Sequence, residues 1–474
     1  AMRYRIEKDL LGQRQVPAEA YYGIETLRGK ENFEITKRGI CRQMIKALAI
    51  VKKAAAKANV DALNIDEKVG KAIMLACDEI LNGRLHGQFV TDLIQGGAGT
   101  SMNMNANEVI ANRANELLGG KKGVYDFVHP NDHVNFGQST NDVIQTAGKI
   151  AIVKQLKKLQ VELKKLYNAY LNKATEFKDV IKMGRTHLQE ALPLRLGQEF
   201  SAYASALNRD MKRIDVAIEA LLEVNMGATA IGTSLNANEK YRKKVIYYLN
   251  KFSGEQIKPA KDLIDATRNF DTFGQASSTL KLLALNLSKT ASDLRLMASS
   301  GSNGFSEITL PHVQPGSSIM PGKYNPVVPE MVNQVCFYVI GLDVTITKAI
   351  EAGQLELNVF GPIILMSLFE QITTLRRATR TFHNLAISGL IANTTKYKTD
   401  NSIYLITALS PHLGHEEACN VVNEAISSEK TIKQVLLDHH ILSEEIINMV
   451  LDESNMTNPG IALENILKEK KEQE

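Results

Sequence analysis

The longest uninterrupted helical pattern in the chain limits the folds that it can adopt. From Asp142 to Phe177 the sequence contains no proline, and no glycine follows Gly148. Apolar residues recur there at spacings of three and four, which places them on one face of a helix. They are Leu156, Leu159, Leu163, Leu166 and Tyr170. Because a helix with such a stripe needs long partners to cover it, the sequence predicts a helical bundle.

Three further stretches, residues 198–223, 277–299 and 331–352, have the same character. The last of them is apolar on nearly every side, so we expect other helices to enclose it, including helices of other subunits. A chain of 474 residues is too long for one compact core. We therefore predict a mostly α-helical protein with an N-terminal domain, a central long-helix domain and a small helical C-terminal domain. The predicted boundaries are 1–140, 141–395 and 396–474.

The amino-acid composition limits the kinds of partner that the protein can bind and the cellular compartment in which it works. The 56 basic and 52 acidic residues give a net charge of only +4, which argues against a nucleic-acid or membrane partner. The four cysteines lie far apart without zinc-ligand spacing, which predicts a reduced, cytoplasmic compartment and no metal site. The N-terminal residues lack the apolar run of a signal peptide. The apolar runs 335–346 and 359–369 are shorter than the roughly 20 residues that span a bilayer, so we expect buried helices.

Glycines and hydroxyl residues precede a helical pattern at residues 94–118. Thr100 stands at the expected helix start, where backbone N–H groups are free to bind a ligand. Asn105 and Glu108 match a capping box, which would make the segment a simple capped helix. A dinucleotide-binding glycine motif is a second interpretation, although Met102 replaces its third glycine.

Four polar residues in a row begin the long helix: Ser139, Thr140, Asn141 and Asp142. A helix cap needs only one such side chain. The segment therefore fits a helix cap and an anion-binding site equally well. We interpret the nearby His133 as a structural histidine.

A second histidine lies in the segment 183–200. Thr186 and Gln189 match a capping box, which would explain the threonine by structure alone. This interpretation does not account for Arg185 and His187. His187 is therefore a candidate functional residue.

The segment HVQPGSSIMPGKYNPVVPE, residues 312–330, has the most specific pattern in the chain. Its prolines and glycines exclude a long helix or a central strand, so we predict a loop over the whole segment. Ser317 and Ser318 supply hydroxyls, Lys323 supplies a cation, and the loop supplies backbone donors. Such a set favours a site that stabilises an oxyanion.

These segments together resemble the aspartase/fumarase superfamily, whose signature GSSxMPxKxN matches residues 316–325. The resemblance extends from YRIEKDLLG near the start to NPGI near the end of the chain. It implies a three-domain, almost wholly helical fold whose long helices form the core of a homotetramer. It also implies active sites built from three subunits, cleavage of C–N or C–O bonds in dicarboxylates such as succinyl compounds, and no required cofactor.

Within the superfamily, IEKDLLGQRQVPAEAYYGIET, IQGGAGTS and GQSTND are similar to the branch that deaminates L-aspartate. Fumarate hydratase is the alternative in the same superfamily. A catalytically silent structural protein is a third possibility. The presence of Ser317, Lys323, Asn325 and His187 argues against it.

The resemblance also implies a role for each candidate residue. Ser317 would be the general base, with His187 and Lys323 as further catalytic residues. Thr100, Ser139 and Thr140, with N–H groups near Ser318, would bind the carboxylate beside the reacting carbon. The other carboxylate would contact Thr186, Lys323 and Asn325. Asn141 and His187 would orient the amino group that leaves.

Overall fold

The structure is a computed structural model that describes residues 2–393 and 402–473. Helices dominate these residues, as predicted. The described ranges contain the α-helices α1 Ile24–Asn32, α2 Arg42–Asp61, α3 Glu67–Leu81, α4 Thr100–Leu117, α5 Thr140–Glu176, α6 Leu196–Leu221, α7 Glu239–Ser253, α8 Leu263–Arg268, α9 Asp271–Met297, α10 Val327–Glu351, α11 Gly361–Phe382, α12 Ile406–Leu413, α13 His415–Ser428, α14 Ile432–Asp438, α15 Glu444–Val450, α16 Glu453–Met456 and α17 Glu464–Gln473.

The strands form only small, two-stranded sheets within the described residues. They are β1 Tyr4–Asp9, β2 Gly12–Pro17, β3 Ile181–Thr186, β4 Gln189–Arg195, β5 Glu223–Val224, β6 Lys258–Pro259, β7 Ile308–Thr309 and β8 Ile391–Ala392. Strands β1 and β2, β3 and β4, and β7 and β8 pair antiparallel, whereas β5 and β6 pair parallel. Each sheet is small, and most of the buried apolar residues lie on the helices.

The long helices lie where the apolar periodicity predicts them. Helix α5 covers the glycine-poor stretch, and each residue of its leucine and tyrosine stripe is at most 1% exposed. Helices α6, α9 and α10 match the other three stretches. One boundary prediction is wrong: α10 begins at Val327, so the loop ends before residue 330. Pro329 fits there because the first turn of a helix does not need its N–H.

The chain divides into two compact units. The first contains residues 1–163, 209–285 and 334–378, and the second contains 164–208, 286–333 and 379–474. In the first unit, α2 packs against α3 and α7. In the second unit, the C-terminal helices surround an apolar cluster that includes Leu409, Val435 and Ile447. The division into three domains stays a prediction, and its boundary between 395 and 396 lies outside the described residues.

Helix α10 is only partly buried within one chain. It is long and apolar enough to cross a membrane by length and composition alone, and 39% of its most apolar window is buried. Core helices of soluble proteins meet the same criterion, so this is weak evidence for a membrane span. Phe337 is 62% exposed and Val344 is 59% exposed, so the residues of one chain alone do not enclose the helix.

Candidate active site

Thr100 is the first residue of α4, in the first unit. Gly97 and Gly99 precede it with positive φ angles of 88° and 101°, a conformation that glycine adopts without strain. A Cβ atom at Gly99 would lie 3.0 Å from Ile144 of α5, so this glycine lets the two helix starts approach closely. The exposed Thr100 hydroxyl donates to the carbonyl of Gly97 at 2.7 Å. Thr100 thus lies at a helix N-terminus beside the start of α5.

Both alternative interpretations of residues 94–118 are wrong. Asn105 and Glu108 lie inside α4, so they cannot form a capping box at its start. Asn105 instead contacts the backbone of Val90 and Gln88. The glycines at 97 and 99 follow no strand of the described sheets, as a dinucleotide-binding motif would require.

The four polar residues at the start of α5 make two kinds of hydrogen-bonded contact. Ser139 Oγ accepts the N–H of Asn141 at 3.1 Å, and Asp142 Oδ1 accepts the N–H of Ser139 at 2.9 Å. This reciprocal cap explains Ser139 and Asp142. Thr140 accepts a hydrogen bond from Asn103 of α4 at 3.3 Å, which ties the two helix starts together. Capping therefore does not account for Thr140 and Asn141, which leaves them as candidate ligand-binding residues.

His133 has the structural role that the sequence suggests. Its Nδ1 accepts the backbone N–H of His129 at 2.8 Å, inside a short π-helical turn at Pro130–Val134. Partial burial lowers the pKa of His133. Its ring therefore serves the local fold as a hydrogen-bond acceptor.

His187 and Thr186 lie on a β-hairpin in the second unit. Thr186 ends β3 and pairs with Gln189 of β4, so the capping-box interpretation of these two residues is wrong. His187 and Leu188 form the turn with φ angles of 56° and 61°. Such positive angles are typical of a two-residue hairpin turn, although glycine or asparagine is usual there. Both His187 and Thr186 are exposed at this tip.

A buried ion cluster supports the base of the hairpin. Lys182 Nζ lies 3.0 Å from Glu199 Oε1 of α6 and 2.5 Å from Glu307 Oε2, just before β7. Burial raises the pKa of Glu199, although the neighbouring ammonium opposes the shift. The cluster joins three elements of the second unit, so the hairpin projects from a fixed base.

The loop of residues 312–326 closes on itself around Gly316. The Gly316 N–H donates to the Lys323 carbonyl at 2.9 Å, and the Asn325 amide donates to the Gly316 carbonyl at 2.7 Å. A Cβ atom at position 316 would lie 2.3 Å from the Lys323 carbonyl, so the loop requires glycine there. These contacts bring Lys323 and Asn325 next to the two serines.

Ser317 occupies the centre of this loop. Its Oγ accepts the N–H groups of Ile319 at 3.2 Å and Met320 at 3.1 Å. Two backbone donors on one hydroxyl oxygen favour a negative charge on that oxygen. Ser317 is partly buried, whereas Ser318 and Lys323 are exposed. The loop therefore presents a polarised hydroxyl on a segment that also carries the Lys323 cation.

The structure groups the candidate residues in two sets. Thr100, Ser139, Thr140 and Asn141 lie at adjoining helix starts of the first unit. Thr186 and His187 lie on the hairpin tip of the second unit, and Ser317, Ser318, Lys323 and Asn325 lie on its loop. Each set contains hydroxyl or amide groups suited to a carboxylate, and the loop adds the cation.

Comparison with known proteins identifies the family. A family model described as Lyase matches residues 12–341, and a model described as Fumarase C C-terminus matches residues 405–458. The chain belongs to the aspartase/fumarase superfamily of lyases. The superfamily resemblance and the mostly helical fold are both confirmed.

Curated superfamily relatives cover nearly the whole chain. An aspartate ammonia-lyase of Bacillus subtilis is 51% identical over 98% of this chain and 98% of that protein. An aspartate ammonia-lyase of Helicobacter pylori is 48% identical over 96% of this chain and 98% of that protein. Full-length similarity at this level covers every segment that carries a candidate residue.

Solved structures of the superfamily have the same fold. A fumarate lyase:delta crystallin from Brucella melitensis has 44% identity and a TM-score of 0.94, over 96% of this chain and 100% of that chain. A class II fumarase from Schistosoma mansoni has 34% identity and the same TM-score of 0.94, over 96% and 100% of the two chains. The superfamily fold therefore extends across this chain.

The structure of this superfamily member also contains polar residues that the motifs did not indicate. Lys52 of α2 is buried and donates to Asn135 Oδ1 and Gln138 Oε1, each at 2.9 Å. Asn135 Oδ1 also accepts from Asn103, the residue that contacts Thr140. Burial lowers the pKa of Lys52 to about 7. In the sequence, the only sign of this buried residue is that Lys52 lies on the apolar face of a helix. The neighbouring Lys53 makes that sign hard to recognise.

The role of a buried carboxylate also differs from the one that the sequence suggests. Glu108 of α4 accepts the N–H and the hydroxyl of Thr26, at 2.8 Å and 2.6 Å, near the start of α1. Burial raises the pKa of Glu108 to about 8.

Among the described residues, no group of three or more His, Cys, Asp or Glu side chains could hold a metal ion.

The buried position of Lys52 predicts a pH-dependent contribution to stability. A lysine whose pKa is lower in the folded than in the unfolded state binds fewer protons when folded. Between pH 7 and 9 the free energy of unfolding of the wild type should therefore rise with pH relative to Lys52→Met. Burial raises the pKa of nearby Asp142 to about 6, and loss of the Lys52 charge would raise that pKa further. This second effect also makes the free energy of unfolding of the wild type rise with pH relative to Lys52→Met. Urea midpoints at one fixed protein concentration measure this difference.

Lys53→Met is the matched control. Lys53 lies 2.8 Å from Asp78 in a partly exposed ion pair. Its replacement should change stability by about 0–1 kcal/mol, equally at pH 7 and pH 9. A constant difference between the wild type and Lys52→Met over this range would contradict the buried, titrating lysine.

Proposed function

We propose that this chain catalyses the reversible deamination of L-aspartate to fumarate and ammonia, with no cofactor. Aspartate ammonia-lyases at 45–51% identity over nearly the full length support this reaction. The four cysteines, Cys41, Cys77, Cys336 and Cys419, are free thiols. They support a reducing, cytoplasmic location for the enzyme.

The reaction needs a base and an anion site. A base removes a proton from C3 of L-aspartate, and the electron pair moves onto the adjacent carboxylate, which becomes doubly charged. The electrons then return to form the C2–C3 double bond, and the C2–N bond breaks to release ammonia. Because charge develops on one carboxylate, donors aimed at that group lower the barrier most.

The geometry of Ser317 is the observation that carries the proposal. A serine hydroxyl is a weak base in water because its ionised form is costly. Here the N–H groups of Ile319 and Met320 already point at Ser317 Oγ. The ammonium of Lys323 in the same loop would add a positive charge when the site is closed to water. We assign Ser317 as the general base.

The remaining candidates take the roles that the superfamily resemblance implies. We propose that the helix starts of the first unit bind the carboxylate that gains charge, through Thr100, Ser139 and Thr140, with N–H groups near Ser318. Thr186, Lys323 and Asn325 would bind the other carboxylate. Asn141 and His187 would orient the departing amino group. Thr100 and Thr140 are the first residues of α4 and α5, and this position supports the first assignment because the N-terminal end of a helix favours a negative charge.

We further propose a homotetramer whose active sites are each shared by three subunits. Large apolar side chains on α9 and α10 are exposed in one chain, among them Leu285 at 47%, Phe337 at 62% and Val344 at 59%. The superfamily expectation is that the long helices of four chains pack together. Such packing would cover these side chains.

The apolar surface predicts that assembly depends on α10. The wild type should sediment as a species of four chains at micromolar concentration. Val344→Glu would place a charge on the apolar surface and should shift the protein to smaller species with loss of activity. Lys243→Glu, at an exposed site of α7 paired with Glu239, is the control for added negative charge. A wild type that is active as a monomer would contradict the shared site.

One assay separates the proposed reaction from its alternative. Fumarate hydratase is the second candidate, because a class II fumarase has the same fold at 34% identity. The purified full chain is incubated with L-aspartate or with L-malate, and fumarate is followed by its ultraviolet absorbance. Fumarate should form from L-aspartate at a rate far above that from L-malate. Comparable rates, or a higher rate with L-malate, would assign the chain to the hydratases.

A further inference from the structure

Two aromatic rings connect the arms of the 312–326 loop. His312 begins the loop and Tyr324 lies near its end, and their rings stack with centroids 3.7 Å apart and planes 6° apart. Both residues are exposed, and Tyr324 retains 47% of its accessible surface. A parallel stack at this distance brings two sequence-distant arms together without help from a buried core.

The stack lies beside the hydrogen bonds that shape the loop. Lys323, next to Tyr324, accepts the N–H of Gly316, and Asn325, on its other side, donates to the Gly316 carbonyl. Ser317 follows Gly316 directly. Separation of the two rings would therefore loosen the arm that holds Gly316, and with it the position of the adjoining turn in which Ser317 Oγ accepts two N–H groups.

The same rings line a cavity of about 480 Å³ that also borders Ser300, Thr309 and Asn393. The apolar side chains of the loop, Val313, Ile319 and Met320, are 39%, 82% and 48% exposed, so the contact between the rings is a principal restraint on its shape.

We infer that His312 and Tyr324 are positioning residues for the proposed proton abstraction, acting as a clasp that keeps the Ser317 oxygen in its hydrogen-bonded geometry. The inference rests on the proposed function. Neither ring needs to contact the substrate. Loss of the clasp should lower the fraction of enzyme with a correctly placed base, so it should act on kcat more than on KM.

The test uses leucine variants of the full-length enzyme. Tyr324→Leu and His312→Leu should each reduce kcat for L-aspartate by roughly three- to tenfold, the factor that corresponds to the loss of an aromatic pair. KM should change by less than about twofold. The double variant should be no worse than the worse single variant, because either change removes the same contact. Tyr324→Phe, which keeps the ring, should restore kcat.

A matched control and a second measurement make the outcome decisive. Tyr404 is 45% exposed on another element of the second unit, and Tyr404→Leu should leave kcat unchanged. Hydrogen exchange in peptides spanning residues 316–320 should be faster in both leucine variants, whether or not the enzyme uses L-aspartate. Additive losses, an unchanged or increased kcat, or unchanged exchange would overturn the clasp. A wild type inactive on L-aspartate would overturn the proposed reaction instead, and the exchange data would still decide the clasp.

Discussion

Ser317→Ala should reduce kcat for L-aspartate by at least about 100-fold, with a much smaller change in KM. The substitution removes one hydroxyl from a partly exposed loop, so the fold should persist. The hydroxyl is the proposed acceptor of the C3 proton, and general-base catalysis contributes roughly 10²–10⁴-fold to a rate. Initial rates over a range of L-aspartate concentrations separate the effects on kcat and KM.

Ser318→Ala is the matched control for this experiment. It removes the same group from the next position, which is exposed, and it should reduce kcat far less. Sedimentation and circular dichroism should show both variants folded and assembled like the wild type. If folded Ser317→Ala retains its kcat, another residue is the base, and His187 is the next candidate.

Lys323→Ala should impair both binding and turnover. A hydrogen bond from a charged donor contributes about 1.5–3 kcal/mol. Loss of the ammonium should therefore raise KM for L-aspartate about 10- to 100-fold. Turnover should fall as well, because the same charge would stabilise the ionised Ser317. This pattern differs from that of Ser317→Ala, in which KM is largely kept.

Lys323→Arg tests whether charge alone is sufficient. Arginine keeps the positive charge but spreads it over a planar group with a different reach. Its KM should lie between those of the wild type and Lys323→Ala. An unchanged KM in Lys323→Ala would show that the loop cation does not contact the substrate.

The sequence predicted the long helices well because their packing is periodic. The stripe from Leu156 to Tyr170 repeats at helical spacing, and every member of it is buried in α5. Local turn chemistry was less informative. Thr186 and Gln189 match a capping box, yet they pair across a hairpin whose turn residues, His187 and Leu188, are not typical of positive φ.

The polar residues that were missed depend on contacts between distant parts of the chain. Glu108 matched a local cap of α4, but its carboxylate binds Thr26, which lies in α1. Lys52 reaches Gln138 across more than 80 residues. No local pattern encodes such pairs, because only the packing of α2 and α4 against their neighbours brings the atoms together.

The serine loop was predictable in composition but not in geometry. Its glycines, prolines and hydroxyls indicate an oxyanion site. The stack of His312 on Tyr324 and the two N–H groups that converge on Ser317 become visible only in three dimensions. The same holds for α10, whose apolar sequence does not reveal that Phe337 remains exposed in one chain.

The most direct test of the central claim is the reverse reaction in deuterated water. Fumarate and ammonium are incubated with the wild type or with Ser317→Ala, and the product is analysed by NMR. The wild type should form L-aspartate with one deuterium at C3, because the Ser317 hydroxyl exchanges with solvent before it delivers its proton. Ser317→Ala should form this product at least about 100-fold more slowly. Formation of singly deuterated L-aspartate at the wild-type rate by Ser317→Ala, or no L-aspartate from the wild type, would contradict the account.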